Sequence, residues 1–349
     1  MNLLSHSINY FQKLVSEPAN ILVVSHYNPD GDTIGASLAL YHFLKKKGHR
    51  AHVLVPNDPP GFLKWMPGSE ELIIYQADNE YGNQLIQSAD SIFYMDFNSS
   101  SRVKFFSEQL IASHATKVLI DHHLQPENEF DMAFSVTAVS STSELLFMIL
   151  EEAGYGNDVS KEMSECLFIG IMTDTGSFSY ACNRPETFQV TAKLIATGID
   201  IEKLHRLVYD TYSESRMRLL GHCLSDRLKV LPELGTAYIW LTRDDLERFE
   251  YQSGDTEGVV NYALSIEKIS LAALFTERDD RIRLSLRSKG NFSVNEMARK
   301  HFNGGGHRNA AGGDSFESME QTLATFESLL QEYKQELEHN LLNYHSKAL

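Results

Sequence analysis

Three short apolar runs in the N-terminal part of the chain each end in polar residues of the kind that bind metals. The runs and the residues that follow them are 21–24 with Ser25-His26, 91–95 with Asp96, and 117–120 with Asp121-His122-His123. The first and third runs are rich in β-branched residues, which is typical of strands. Helical patterns lie between the runs, such as 33–47, which ends at Gly48. This alternation predicts an α/β domain with a parallel sheet and helices on both faces.

The pattern changes after about residue 185. Helical segments are predicted at 185–197 and 201–209, and a polar helix that follows is interpreted as a connector. Apparent hairpins at 228–241 and 270–287 then indicate a smaller α+β domain. We therefore predict a first domain over residues 1–200, a helical linker over 201–227 and a second domain over 228–349.

The turn after the first predicted strand carries three potential metal ligands. Asn-Pro-Asp-Gly is a turn sequence, so an ordinary strand-to-helix turn is the simplest interpretation. The same turn, however, places His26, Asp30 and Asp32 within seven residues. Ligands bind beyond the carboxyl ends of the strands of a parallel sheet. Imidazole nitrogen and carboxylate oxygen together suit Mn, Fe or Zn, so a metal site is predicted at this sheet edge.

The triplet Asp121-His122-His123 follows the third predicted strand. An isolated histidine pair is most often a surface feature. Because adjacent residues of a regular strand point to opposite sides, only one of these histidines is expected to bind a metal, and the other should face the substrate. Asp121 would then orient an imidazole from outside the ligand set.

Two further aspartates complete the candidate site. Asp96 ends the middle strand, and Asp174 follows the apolar run 167–171; each could equally be an ordinary cap. Four aspartates and two histidines suffice for two metals that share a carboxylate, an arrangement used for in-line displacement at phosphorus. Between these motifs, Ser141 and Glu144 have the spacing of a capping box that opens a helix.

Composition limits the classes of partner. The 31 Lys and Arg against 47 Asp and Glu give a net charge of −16, which disfavours long nucleic acid. No apolar run approaches the roughly 18 residues of a membrane span, so no membrane partner is expected. The N-terminal sequence lacks a signal-peptide pattern, and three widely spaced cysteines do not form a disulfide framework. A cytoplasmic location is therefore expected.

One segment departs from the acidic average. Residues 281–310 contain seven basic residues and one acidic residue, Glu296. Within the segment, Gly304, Gly305 and Gly306 precede His307 and Arg308. The glycines are either a flexible surface loop or a backbone that approaches a phosphate closely through its N–H groups.

Taken together, these motifs resemble those of the DHH phosphoesterases, a family named for the triplet seen here at 121–123. The resemblance extends over nearly the whole chain. Its motifs are His26-Tyr-Asn-Pro-Asp-Gly-Asp32, Asp96, Asp121-His122-His123, Thr173-Asp174-Thr175-Gly176 and Gly304-Gly-Gly-His307-Arg-Asn-Ala-Ala-Gly312. The last motif is similar to that of the C-terminal DHH-associated domain.

The resemblance implies two Mn²⁺ ions per chain, with Mg²⁺, Co²⁺ or Fe²⁺ as alternatives, in a cleft between the domains. The first ion would be held by His26, Asp30 and Asp96. The implied ligands of the second ion are Asp32, Asp96, His122 and Asp174, with Asp96 as the bridge. His123 would contact the scissile phosphate and the metals would activate a hydroxide. The substrate would be held in the second domain by Arg287, Ser288, Gly304, Gly305, Gly306, His307 and Arg308.

Length and domain order are most similar to the nanoRNase and pAp phosphatase group of the family, where pAp is 3′-phosphoadenosine 5′-phosphate. The expected function is hydrolysis of oligonucleotides of two to five nucleotides, including the linear dinucleotide pApA, to mononucleotides, with dephosphorylation of pAp as a second activity. Alternatives are a cyclic di-AMP phosphodiesterase, an exopolyphosphatase and a nucleotide sensor without turnover. A homodimer is compatible with the sequence.

Overall fold

The computed structural model describes residues 5–346. The chain divides into two compact units, Met1–Thr211 and Tyr212–Leu349. The ends of the predicted domains, residues 1–4 and 347–349, lie outside the described residues. Within the described residues, no helix is both long enough and apolar enough to cross a membrane.

In the described residues of the first unit, six parallel strands form one sheet. The strands are β1 (Asn20–Val24), β2 (Arg50–Val55), β3 (Leu72–Ile74), β4 (Ser91–Met95), β5 (Thr116–Asp121) and β6 (Met132–Ser135). Their order is β3-β2-β1-β4-β5-β6. The helices are α1 (Ser5–Leu14), α2 (Gly31–Lys46), α3 (Asn79–Ser88), α4 (Ser107–Ala112), α5 (Thr142–Glu152), α6 (Lys161–Asp174), α7 (Pro185–Ala196) and α8 (Ile201–Tyr209).

Both faces of this sheet are covered, because its strands are apolar on both sides. Val23 of β1 packs in a core with residues of α2, α5 and α6. Its neighbours Leu22 and Val24 point the other way, into a core with residues of α3 and α4. The predicted α/β class, with a parallel sheet between two layers of helices, is confirmed.

The second unit is built on a mixed sheet. Its strands are β7 (Leu228–Leu231), β8 (Thr236–Leu241), β9 (Leu271–Glu277), β10 (Ile282–Ser288), β11 (Gly305–His307) and β12 (Ala310–Ser315). The order is β11-β12-β10-β9-β8-β7, in which β8 and β9 are parallel and all other pairs are antiparallel. The helices are α9 (Glu214–Ser225), α10 (Arg243–Arg248), α11 (Val259–Leu264), α12 (Val294–His301), α13 (Met319–Glu332) and α14 (Lys334–Ser346). Both predicted hairpins, β7–β8 and β9–β10, are confirmed.

The predicted linker, 201–227, contains two helices that belong to different units. Leu204 of α8 is buried in the core of the first unit. Leu219 and Cys223 of α9 are buried in a core of the second unit. The change of unit falls in the short stretch between the two helices, at Thr211 and Tyr212.

Candidate active site

The carboxyl ends of β1, β4 and β5 meet at one edge of the parallel sheet, as the strand order requires. His26 follows β1 by two residues and Asp96 directly follows β4. Asp96 has a left-handed backbone, φ 67°, which is uncommon for a residue with a side chain. Such outliers are often kept where function requires a particular side-chain direction.

The turn after β1 both starts helix α2 and places side chains in a cluster of potential metal ligands. Asp30 is the N-cap of α2, and its Oδ1 accepts hydrogen bonds from the backbone N–H groups of Asp32 and Thr33, each at 3.1 Å. Its other oxygen, Oδ2, lies 3.7 Å from Nε2 of His26. Nδ1 of His26 donates to the carbonyl of Tyr27 at 3.0 Å, which turns Nε2 toward the carboxylates.

His26, Asp30 and Asp96 form a first cluster, in which Nε2 of His26 is 3.6 Å from Oδ2 of Asp96. A second cluster surrounds Nε2 of His122. That atom is 3.8 Å from Asp32 Oδ2, 3.4 Å from Asp96 Oδ1 and 3.3 Å from Asp174 Oδ2. Asp96 thus presents one oxygen to each cluster.

These distances suit shared coordination better than hydrogen bonding. A metal with bonds of about 2.1 Å holds neighbouring ligand atoms about 3.0–3.4 Å apart. The observed separations of 3.3–3.8 Å are close to that range and longer than ordinary hydrogen bonds. The donor set is nitrogen and oxygen, with no sulfur. The residues of the two clusters therefore fit the coordination of divalent cations.

The electrostatics of the clusters follow from burial and crowding of like charges. Burial raises the pKa of Asp174 to about 6, and the negative charge of Asp96 adds to the effect. Burial also raises the pKa of Asp32, with the charges of Asp96 and Asp174 acting in the same direction. Burial lowers the pKa of His26, but the carboxylates of Asp30 and Asp96 outweigh it and raise that pKa to about 10. The clusters thus favour binding of positive charge.

His123 occupies a different position from His122. Its Nδ1 lies 2.7 Å from Oδ1 of Asp121, which is fully buried. The same nitrogen is 3.7 Å from Oδ1 of Asp96, so the ring borders the clusters. The two imidazoles meet edge to face, with centroids 5.1 Å apart. The structure thus pairs Asp121 with His123, while His122 faces the carboxylates.

Sequence reasoning missed the N-terminus of α5. Backbone N–H groups of Thr142 and Ser143 donate to the two oxygens of Asp32, at 2.6 and 2.9 Å. The Thr142 hydroxyl donates to Oδ1 of Asp96 at 2.8 Å. Unpaired N–H groups and the helix dipole favour a carboxylate at such a terminus. This helix end therefore fixes the orientation of two of the four aspartates.

The predicted capping box at this helix is only half right. Ser141 is the N-cap, and its side chain accepts from the N–H of Glu144, as predicted. The carboxylate of Glu144, however, accepts from the N–H and hydroxyl of Ser140 and the hydroxyl of Thr187, and it pairs with Arg184. A buried carboxylate needs several donors, and these tertiary partners outnumber the single one that a capping box offers.

Glycines allow α2 and α6 to approach the clusters. A Cβ on Gly170 of α6 would lie 1.9 Å from Ser143 Oγ and 2.7 Å from Asp32 Oδ1. A Cβ on Gly35 of α2 would lie 2.5 Å from the carbonyl oxygen of Cys166. Because no side chain fits in these spaces, the backbones pack directly, and Asp174 at the end of α6 reaches the second cluster.

In the second unit, the predicted glycine segment is a strand and not a loop. Gly305–His307 is β11, the edge strand that pairs with β12. A Cβ on Gly304 would lie 2.0 Å from the carbonyl oxygen of Gly312, so close packing of backbone requires that glycine. Gly306 has φ 147°, and its N–H donates to Asn295 at 2.8 Å. The interpretation as a flexible loop is wrong.

The other predicted substrate residues lie around this strand. Ser288 ends β10, and its buried hydroxyl donates to the carbonyl of Phe292 and accepts from Asn309. Arg308 is exposed just after β11. Arg287 is half-buried on β10 and donates to the carbonyl of Leu286 at 3.1 Å.

The basic character of residues 281–310 is reduced by acids from outside that range. Arg281 pairs with Asp280 and with Asp314, and Arg283 lies 3.8 Å from Asp314. Within the described residues, Arg287 makes no ion pair. Positive charge is therefore concentrated at Arg287 and near the glycine strand, and is partly neutralised at the start of β10.

Two family models match the chain: the DHH family, N-terminal domain, over residues 20–171, and the DHHA1 domain over 236–338. The crystal structure of an exopolyphosphatase-related protein from Bacteroides fragilis is 42% identical. The match covers 97% of this chain and 100% of the Bacteroides fragilis chain, with a TM-score of 0.91. The chain belongs to the DHH phosphoesterase family. It is thus a hydrolase that acts on phosphate esters, as the motifs predicted.

Relatives of this DHH phosphoesterase include the bifunctional oligoribonuclease and PAP phosphatase NrnA of Bacillus subtilis, 27% identical over 90% of this chain and 96% of that protein. The cyclic-di-AMP phosphodiesterase GdpP of the same organism is 25% identical over 95% of this chain and 50% of that protein. RecJ of Thermus thermophilus, in a complex with Mn²⁺, is 13% identical with a TM-score of 0.53. This match covers 95% of this chain and 55% of the RecJ chain, and it shows a similarity of fold alone.

Proposed function

We propose that this DHH phosphoesterase hydrolyses oligonucleotides of two to about five nucleotides, including pApA, to mononucleotides, and that it dephosphorylates pAp. The observation that carries the proposal is the position of Asp96, with one oxygen in each of two clusters of histidine and aspartate. The similarity to oligoribonuclease and PAP phosphatase proteins over nearly the whole chain supports this substrate class.

The clusters would hold two Mn²⁺ ions, with Mg²⁺, Co²⁺ or Fe²⁺ as alternatives. The first would be bound by His26, Asp30 and Asp96. The ligands of the second would be Asp32, Asp96, His122 and Asp174. When bound, such a pair stabilises negative charge on phosphate oxygens and lowers the pKa of water. Mixed imidazole and carboxylate ligands suit these ions.

The chain's own residues orient the reaction. Asp121 holds the His123 ring at the border of the clusters, where the imidazole can donate to an oxygen of the scissile phosphate. Thr142 holds Asp96 in place through its hydroxyl. In the second unit, a second phosphate of the substrate would be bound at the end of β10 and along β11, the glycine strand, with the residue on either side of it. These residues are Arg287, Ser288, Gly304, Gly305, Gly306, His307 and Arg308.

A preference for short substrates follows from charge. The net charge of −16 repels a long polyanion. Screening limits that repulsion to about 8 Å at physiological salt, so a dinucleotide bound at the site experiences little of it. A 24-mer must extend across the acidic surface. A cyclic di-AMP phosphodiesterase is the second candidate function, because one of the relatives has that activity in its name.

A substrate panel tests the proposal. Initial rates would be measured with Mn²⁺ on pAp, pApA, cyclic di-AMP, and labelled 5-mer and 24-mer RNA, before and after treatment with a chelator. We expect turnover of pAp, pApA and the 5-mer, a steep fall in kcat/KM beyond five nucleotides, and loss of all activity on chelation. Preferred turnover of cyclic di-AMP would favour the second candidate. Binding without turnover would indicate a sensor, and equal rates on 2-mer and 24-mer RNA would contradict the proposal.

A further inference from the structure

A small cationic and aromatic surface lies beside the first cluster, in the first unit. It consists of Tyr27, Arg102, Lys104 and Phe105, and is called here the Tyr27 surface. Tyr27 follows the cluster residue His26 directly, and its carbonyl accepts from that imidazole at 3.0 Å. Because Tyr27 is bonded to a residue of the cluster on one side, the surface lies at the border of the proposed reaction centre.

The surface is held together by specific contacts. The N–H of Tyr27 donates to the carbonyl of Arg102 at 2.8 Å. The rings of Tyr27 and Phe105 meet edge to face, with centroids 5.4 Å apart. Nζ of Lys104 lies 4.5 Å from the centroid of Tyr27 and 5.3 Å from that of Phe105. The segment that follows β4 is thereby fixed against the turn that follows β1.

The backbone of this segment is strained at the lysine. Lys104 has φ 63° and ψ −59°, a strained γ-turn conformation that residues with a Cβ rarely adopt. Such conformations persist only where the surroundings impose them, and they are frequent at binding sites. Here the strained residue is the one whose ammonium group lies over the two rings.

Among the described residues, the cations of this surface have no acidic partner. Within the described residues, neither Arg102 nor Lys104 makes an ion pair, although four aspartates lie in the neighbouring clusters. Arg102 is half-buried and Lys104 exposed. By contrast, Arg281 in the second unit pairs with two carboxylates. An unneutralised guanidinium and ammonium next to an aromatic ring match a ligand that carries both phosphate and a flat base.

We propose that the Tyr27 surface is a subsite for a nucleotide adjacent to the scissile phosphate, with the base stacked on Tyr27 and the next phosphate of the strand, a different one from that assigned to Arg287, bound by Arg102 and Lys104. This inference rests on the proposed function. Every nucleobase has a face that stacks on an aromatic ring, so stacking gives binding without sequence preference. The flexible stem of Lys104 lets its ammonium move from the ring to a phosphate. The first unit would then bind one nucleotide independently of Arg287.

The test compares four variants with the wild type as the Mn²⁺-loaded full chain. They are Lys104→Gln, Arg102→Gln, Tyr27→Leu and Tyr27→Phe. Lys161→Gln is the charge-matched control: Lys161 is exposed at the first residue of α6, about 20 Å along that helix from Asp174. KM and kcat would be measured for pApApA, which has a phosphate on each side of its middle phosphate, and for bis(p-nitrophenyl) phosphate, which has no nucleobase and no phosphate beyond the scissile one. Bound manganese would be measured in each variant.

We expect Lys104→Gln, Arg102→Gln and Tyr27→Leu each to raise KM for pApApA about tenfold, because a charge-assisted contact or a stacked ring is lost. The increase on the aryl diester should be several times smaller. Tyr27→Phe should restore a KM within about twofold of wild type, since the ring is kept. Manganese content should equal that of the wild type, and the Lys161→Gln control should match it in every measurement.

Two results would overturn this inference while leaving the proposed function intact. One is hydrolysis of pApApA by the wild type together with an unchanged KM in Lys104→Gln and Tyr27→Leu. The other is an equal loss on pApApA and on the aryl diester, which would mean that the residues act on the metal centre. If the wild type hydrolyses no nucleotide at all, the proposed function fails and the inference fails with it. Lys104 is exposed, so Lys104→Gln should fold normally. That variant therefore tests the inference even if Arg102→Gln fails to fold.

Discussion

The hydroxyl of Thr142 donates a hydrogen bond of 2.8 Å to Asp96, the carboxylate that faces both clusters. Outer partners of this kind orient a metal ligand, and their loss typically lowers metal affinity about 10–100-fold. We expect Thr142→Val to lower Mn²⁺ affinity within that range while the backbone N–H to Asp32 is kept. Isothermal titration with Mn²⁺ measures it. Thr142→Ser retains the hydroxyl and should bind as the wild type does; equal affinity of the valine variant would exclude this role.

Removing the shared carboxylate should affect both clusters together. Asp96→Ala is expected to lose at least one Mn²⁺ per chain and to reduce turnover more than alanine at any other proposed ligand, because Asp96 alone contributes to both sites. Elemental analysis measures the bound Mn²⁺, and initial rates on pApA measure the turnover. Full occupancy with retained turnover would rule out a dinuclear centre.

The two adjacent histidines should separate metal binding from turnover. His122 Nε2 lies among three carboxylates, so His122→Ala is expected to lose metal. His123 is held by Asp121, so His123→Ala should keep both metals and lose kcat by about 10²–10³-fold, as when one donor to a developing charge is removed. Metal content and kcat would be measured in the same preparations. The opposite pattern would exchange the two assignments.

Gly170 should not tolerate a methyl group. Its Cβ would lie 1.9 Å from Ser143 Oγ, so Gly170→Ala should reduce the free energy of unfolding by about 1–3 kcal/mol and weaken Mn²⁺ binding through Asp32. Gly221 of α9 is a matched control, since nothing lies within 4 Å of its Cβ position. Gly221→Ala should stabilise the chain by about 0.5–1 kcal/mol. Chemical denaturation measures the free energy of unfolding of both variants. A Gly170→Ala variant as stable as the wild type would contradict the predicted clash.

Arg287 should act on substrate binding. Arg287→Ala is expected to raise KM for pApA about tenfold or more, because a charge-assisted contact to phosphate is lost. The effect on bis(p-nitrophenyl) phosphate should be much smaller, since that ester lacks a second phosphate. Arg283→Ala is a control on the same strand, exposed and already near Asp314. An unchanged KM for pApA in the Arg287 variant would remove the basis for substrate binding by the second unit.

The residues that sequence reasoning placed correctly at the sheet edge have local signals. His26 and Asp96 each come within two residues of a strand end, and parallel topology brings strand ends together. The pairing of Asp121 with His123 follows from residues that are neighbours in the chain. Such positions can be predicted because they depend on the alternation of strands and helices, which the pattern of apolar residues indicates directly.

The contacts that were missed join distant parts of the chain. Thr142 lies 110 residues from Asp32, and nothing in an ordinary N-terminal helix sequence indicates which acid its N–H groups will reach. The glycine strand was missed for another reason. Three glycines have no apolar pattern, and the strand depends on the close packing of Gly304 and Gly306 against the backbone of β12. Both features are products of tertiary structure.

In the proposed metal-bound protein, the burial of Asp32 and Asp96, which are 1% and 2% exposed, would make the lifetime of the protein depend on metal supply. Buried like charges oppose folding, and a cation that binds only the folded chain offsets them, by about 2.7 kcal/mol at a hundred times its Kd. That amount is a large part of the usual stability of a domain. Chains synthesised when divalent metal is scarce would therefore unfold more often and be degraded sooner. The cell's content of this enzyme would then follow its metal supply.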